Sequence, residues 1–247
     1  MKIFIISFIF LYQALAMTGI EVMQKVEKQG QGFIGSEAEM QMLLIDAHGT
    51  QVERIMEASV LENIKEGDKS ITAFIKPTDI KGTKLLTWTR VDDDNKQWLY
   101  LPKFKRVKKI NSTNQAGSFM GSEFSYEDIG GQVLDKYNYK VLSEDKDSWM
   151  IESTPKKKSG YSKLVSKISK TDLIPLEVKY YDRRAELLKE SSLSDFKTYK
   201  VGKKSFLMAN KIEMKNLQTQ KRSVIKWTNR KIGLKLKDNQ FKSSKLK

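Results

Sequence analysis

The sequence has no cysteine and only one histidine, His48, in 247 residues. Without thiols there is no disulfide scaffold, thiolate nucleophile, iron–sulfur cluster or Cys-ligated zinc, and one histidine cannot make a multi-histidine metal centre. A Ser-His-Asp relay could use only His48, which lies in the polar turn Asp46-Ala47-His48-Gly49, where a lone histidine is ordinarily a surface residue. There is no Pro- or Ser-rich linker, internal repeat or composition break to separate two domains. The one apolar run, Ile3 to Leu11, is well short of the roughly 20 residues that span a bilayer. It follows Met1-Lys2 and precedes Tyr12-Gln13-Ala14-Leu15-Ala16, the basic start, apolar stretch and small-x-small end of a secretory signal peptide. Residues 1–16 are therefore expected to be a cleaved leader, and residues 17–247 one domain outside the cytoplasm. Lacking cysteine, the exported chain cannot carry the N-terminal lipid of a bacterial lipoprotein. Lack of disulfides suits a bacterial periplasm.

What is present is a core-forming composition, 39% hydrophobic and 30% charged, with a net charge of +15. The charge is localised: residues 196–247 carry 16 Lys and Arg against only Glu213 and Asp238, leaving the rest nearly neutral. Such a segment could meet an anionic membrane surface, an acidic partner or nucleic acid, or be solvated strand faces with a frayed lysine-rich tail. Nucleic acid is disfavoured, because the cations are mostly Lys, no recognition helix accompanies them and the chain is read as exported.

Thr18-Gly19-Ile20-Glu21 has the form of a capping box, and Ile20, Val22, Met23 and Val26 follow at helical spacing to a stop at Gly30. The period then changes to two in Glu37-Ala38-Glu39-Met40-Gln41-Met42, as in a half-covered strand. Further strands are expected over 52–64, 70–75, 85–90, 97–101, 106–110, 137–142, 149–153, 164–169, 176–181, 188–199, 205–217 and 222–228. Short polar turns at 46–49, 65–68, 92–95, 170–172 and 201–204 join antiparallel neighbours, since a parallel pair needs a long crossover. The expectation is a mainly β chain with a single antiparallel sheet of about ten or more strands, wide enough to curl.

Several motifs look chemical and fail on context. Gly30-Gln31-Gly32-Phe33-Ile34-Gly35 matches a dinucleotide fingerprint but follows a helix and enters a strand, the reverse of what pyrophosphate binding needs. Asp92-Asp93-Asp94 lacks the alternating ligands, central Gly and closing Glu of a calcium loop. Ser153-Thr154-Pro155-Lys156 has Pro where a nucleophile-bearing helix would run and no Lys-Thr-Gly partner. Asn111-Ser112-Thr113 is a glycosylation sequon, relevant only in a host with that machinery. No catalytic residue, metal ligand or cofactor site is assigned.

Two segments stand out: Gln97-Trp98-Leu99-Tyr100-Leu101-Pro102-Lys103-Phe104-Lys105-Arg106-Val107, and Ala116-Gly117-Ser118-Phe119-Met120-Gly121-Ser122-Glu123-Phe124-Ser125-Tyr126-Glu127-Asp128. The first reads as a strand ended by Pro102 and a returning strand. The second is a Gly/Ser-punctuated loop carrying Phe119, Met120, Phe124 and Tyr126, with a short helical turn starting near Ser125. It either plugs one end of a sheet or touches a ligand. Together they resemble the outer-membrane lipoprotein-sorting protein family, a LolA-like group of periplasmic carriers, in which W-L-Y-L-P, a basic stretch and G-S-F-M-G-S-D-F-S-Y-E-D occur in this order. Glu123 stands where the family usually has Asp.

The resemblance implies an unclosed, curved antiparallel sheet, a LolA/LolB-like open barrel, with an N-terminal helix and short helices over its mouth. It also implies an apolar cavity for acyl chains of a lipoprotein or lipid, an inner-membrane exporter and an outer-membrane acceptor as partners, and a monomeric carrier. Burying a methylene is worth about 0.8 kcal/mol, so such a carrier needs no covalent chemistry, and the 10 methionines suit varied cargo. Candidate wall or mouth residues are Met40, Met42, Leu86, Trp88, Trp98, Tyr100, Phe119, Met120, Phe124 and Tyr126, with Leu44, Leu176, Val178, Tyr180, Ile212 and Met214 beside them. Two rivals stay open: an adaptor with a solid core and a basic interaction tail, and an envelope hydrolase, disfavoured for want of an activated nucleophile.

Overall fold

The computed structural model describes residues 17–247, and the leader reading lies outside them. Helix α1 (Gly19–Gly30) starts as its capping box requires: the Thr18 hydroxyl accepts from the Glu21 N–H, and the Glu21 carboxylate accepts the Thr18 N–H at 2.7 Å.

Thirteen strands follow: β1 (Gly35–Ile45), β2 (Gln51–Leu61), β3 (Lys69–Lys76), β4 (Lys84–Trp88), β5 (Lys96–Leu101), β6 (Arg106–Ile110), β7 (Tyr137–Glu144), β8 (Ser148–Pro155), β9 (Lys163–Ser169), β10 (Pro175–Tyr181), β11 (Leu187–Val201), β12 (Lys204–Asn216) and β13 (Arg222–Ile232). Each corresponds to a strand expected from the alternation, with ends shifted by a few residues. Turn chemistry sets the reversals. Asp46 accepts the N–H groups of His48 and Thr50 at 2.9 Å, and Asp182 does the same for Arg184 and Glu186.

All the strands form one antiparallel sheet in the order β6-β5-β4-β3-β2-β1-β13-β12-β11-β10-β9-β8-β7. It is two meanders, β1 to β6 and β7 to β13, joined where the first and last strands pair, Met42 opposite Ile225. The edges β6 and β7 do not pair with each other, so the sheet curls without closing. The chain between those edges holds short 3₁₀ turns and helix α2 (Tyr126–Gly130) and returns across the inner face.

That inner face carries the main core. Met40, Met42, Met56, Phe74, Leu85 and Leu99 from one meander and Leu164, Tyr180, Met214 and Ile225 from the other surround Phe119 and Phe124 of the connection. Farther along, Val22 of α1 packs on Trp149, Ile151 and Ile168.

A third cluster lies on the outer face. There Leu86, Trp88, Trp98, Tyr100 and Ile71 are covered by Phe241 and Leu246 of the C-terminal tail, both 1% exposed. The Trp88 indole donates to the Phe241 carbonyl at 2.7 Å, and Lys69 pairs with Asp238. The tail is thus a folded strap, which corrects the frayed-tail alternative: two apolar anchors spaced among the lysines hold it to the sheet.

Candidate functional site

The connection from β6 to β7 brings polar and apolar side chains together on the inner face. Ser118 pairs with Ser125 in an isolated bridge, bringing Phe119 and Phe124 together at the centre of the curl. The turn between them places Met120 and Gly121 at φ 53° and 80°, and the Ser122 hydroxyl closes it by donating to the Phe119 carbonyl at 2.7 Å. Phe119 meets Tyr126 edge-on at 5.6 Å and Phe74 at 5.8 Å.

Ser125 caps α2. Its hydroxyl accepts the Asp128 N–H, and the Asp128 carboxylate accepts the Ser125 N–H at 2.6 Å. The same carboxylate takes the Lys189 ammonium of β11 at 2.6 Å and the Tyr161 hydroxyl of the β8–β9 loop at 2.8 Å. Lys189 and Asp128 are only 5% and 6% exposed, and the ammonium also donates to the Glu123 carbonyl and lies over the rings of Tyr161 and Tyr180. Burial, then the negative charge of Asp128, pushes the Tyr161 and Tyr180 phenols far up, so both remain neutral.

Other strands hold the rest of the segment. Arg54 of β2 donates to the Met120 carbonyl and lies over the Phe74 ring, and burial lowers its pKa while Asp79 opposes the shift. The Glu123 N–H donates to the Ser223 hydroxyl at 3.0 Å, and its carboxylate accepts the Asn216 amide at 2.8 Å. Gln97 of β5 donates to the Tyr126 carbonyl at 2.8 Å, and Glu127 accepts from Ser159 and the Gly160 N–H. The acidic side chains of the motif thus anchor the segment to the second meander, while Arg54 and Gln97 of the first meander hold its Met120 and Tyr126 carbonyls. Beside the segment a cavity of about 360 Å³ is lined by charged and polar groups such as Glu127, Lys136 and Lys158 together with Val133, Tyr137 and Pro155.

The ten candidate residues do not line one wall. Met40, Met42, Phe119, Met120, Phe124 and Tyr126 gather on the inner face. Leu86, Trp88, Trp98 and Tyr100 lie on the outer face under the strap. The register is decisive: Leu85 opposes Leu99 facing inward, so Leu86 opposite Trp98 must face outward. Both faces of β4 and β5 are apolar because both are covered, and alternation alone could not choose between them. Tyr180, Val178, Leu44, Ile212 and Met214 lie in the inner cluster and Leu176 is not among them, while Lys189, Tyr161, Arg54 and Gln97 were missed. A lone Lys189 between Leu188 and Glu190 gives no sign that it turns inward. Among the described residues no group of three His, Cys, Asp or Glu could hold a metal, and no helix is long and apolar enough to cross a membrane.

An open, curled antiparallel sheet with one long helix and an inner segment is the fold of the LolA superfamily. A LolA superfamily protein from Nitrosomonas europaea shares it at TM-score 0.70 and 18% identity, over 92% of this chain and 98% of that one. A putative outer membrane lipoprotein-sorting protein domain from Vibrio parahaemolyticus is 35% identical, with TM-score 0.88 over 92% of this chain and 97% of that one. A DUF1329 family protein from Desulfovibrio piger is 26% identical, with TM-score 0.85 over 93% and 98%. A family model described as "Uncharacterized protein" matches residues 66–247, and no curated protein matches the sequence. The chain belongs to the outer-membrane lipoprotein-sorting protein family.

Proposed function

We propose that the protein is a periplasmic, non-enzymatic carrier that takes acyl chains of a lipoprotein or lipid onto the inner face of its sheet and moves them from the inner toward the outer membrane. The observation that carries the reading is that this face is covered by a loop segment and not by a second sheet. Met40, Met42, Met56 and Met214 form a methionine-rich floor, and Phe119, Phe124 and Tyr126 lie on it as an acyl chain would. Cargo would take the place of those side chains once the segment swings away. A dozen methylenes would bring on the order of 10 kcal/mol before ordering costs, to be set against the loss of the segment's own contacts.

Native mass spectrometry of protein recovered from its own periplasm, and retention of a fluorescent acyl probe by the purified chain, test this. Absence of both lipid and probe retention would sink it. A second reading, an adaptor with a permanently filled interior, is favoured by the burial of Phe119 and Phe124, which are 1% and 3% exposed. Deleting the strap would not separate the two, since it also uncovers the outer aromatics. Reversing the charge of the exposed Lys242 and Lys245 tests the adaptor's basic contact with the fold intact.

A further inference from the structure

The β5–β6 hairpin points to a second binding surface, one that does not depend on acyl cargo. Its turn, Pro102–Phe104, ends with Lys105 in the left-handed region at φ 48°, and holds Phe104 out from the sheet. Phe104 is 67% exposed, more than any other large apolar side chain among the described residues. Around it Lys103, Lys105, Arg106, Lys108 and Lys109 are all exposed, and no residue from Leu101 to Ile110 is acidic. None of the five cations takes part in an ion pair among the described residues. Lys81, exposed in the neighbouring β3–β4 turn, adds to the same end of the molecule.

We propose that this hairpin docks the protein on an anionic bilayer, Phe104 entering the headgroup–acyl boundary while the surrounding cations meet lipid phosphates. Each part of the chemistry matches. Lysines near a negatively charged leaflet are attracted independently and additively, and one inserted aromatic supplies the second signal that stable peripheral binding needs. The cations lie on both faces of β6: Lys108 opposes the inward Leu99, whereas Lys109 opposes the outward Trp98. An array spread around a protruding ring fits a flat, deformable surface better than a shaped protein pocket. Protection of an edge strand would account for Lys108 and Lys109 but not for an aromatic ring left in water at the turn. The C-terminal strap, where the sequence placed the anionic contact, has its charge but no free apolar group, because Phe241 and Leu246 are buried.

Co-sedimentation of residues 17–247 with phosphatidylcholine vesicles, with and without phosphatidylglycerol, tests the proposal. Binding is expected only when phosphatidylglycerol is present and should fall with salt. Lys108→Glu with Lys109→Glu, and separately Phe104→Ser, should each weaken it at least about tenfold with an unchanged melting temperature. Lys242→Glu with Lys245→Glu, an equal change of net charge, should alter it less than about twofold. Equal loss from the strap variant, equal binding to pure phosphatidylcholine, no vesicle binding, or retention only by a soluble acidic protein would each overturn the proposal. Acyl-probe retention by the hairpin variants should stay at the wild-type level. A chain that binds vesicles yet holds no probe therefore counts against the carrier reading alone.

Discussion

Asp128 joins helix capping, segment anchoring and charge burial in one carboxylate. With its amide isostere, Lys189 would be left buried without a counter-charge. Asp128→Asn is expected to cost about 3–5 kcal/mol in urea denaturation at neutral pH. Adding Lys189→Met, which removes the stranded charge, should recover a measurable part of the loss, and a strictly additive double mutant would count against the pair. Asp68 is half-buried, with no cation paired to it among the described residues. Burial, with a smaller push from the Glu62 charge, holds its carboxyl above the ordinary range despite the N–H it accepts from Asn63. The folded chain therefore favours the protonated form. Stability should decline as pH rises from the ordinary carboxylate range through that raised value. Asp68→Asn can still accept the Asn63 N–H and should flatten this part of the stability–pH curve measured by thermal melts.

At the scale of elements, the strap does for the outer face of β3 to β6 what the inner segment does for the other side. Phe241→Ala should cost about 3–5 kcal/mol, measured by thermal or urea unfolding, because it empties a site closed by Leu86 and Trp88. Removing residues 238–247 should make the folded protein bind a hydrophobic dye at the uncovered aromatics. The strands themselves were legible in the sequence, because most are wet on one face and bounded by Asp, Asn and Gly turns whose side chains hydrogen-bond the backbone. The helix was legible from its capping box. The orientation of Leu86, Trp88, Trp98 and Tyr100 was not, because what decides it is a tail more than 130 residues away in the chain. The inner segment was marked by its family motif. Its anchors, Arg54, Lys189 and Tyr161, are brought together only by the curl of the sheet.

For the whole molecule, the two meanders meet along one long ladder, β1 with β13, and are tied a second time by the segment and the strap. A chain broken between Thr113 and Asn114, both exposed, should re-form from its two parts. Residues 17–113 and 114–247, each poorly soluble alone, are expected to co-elute as one species with the circular dichroism of the intact protein after mixing during refolding. Failure to associate would mean that the covalent link, and not the ladder and shared core, holds the halves together.

The same ladder sets a timetable. Strand β1 is made before β13, with the other eleven strands between them in sequence, yet the two are neighbours at the middle of the sheet, so contacts such as Met42 with Ile225 join residues far apart in the chain. Folding dominated by such distant pairing is slow, and the edge of β1 stays unsatisfied until β13 arrives. Glu37 and Glu39 on β1, close to a break in the ladder register, leave that waiting edge charged and irregular. Those acids thus deter the first meander from pairing with another unfinished chain.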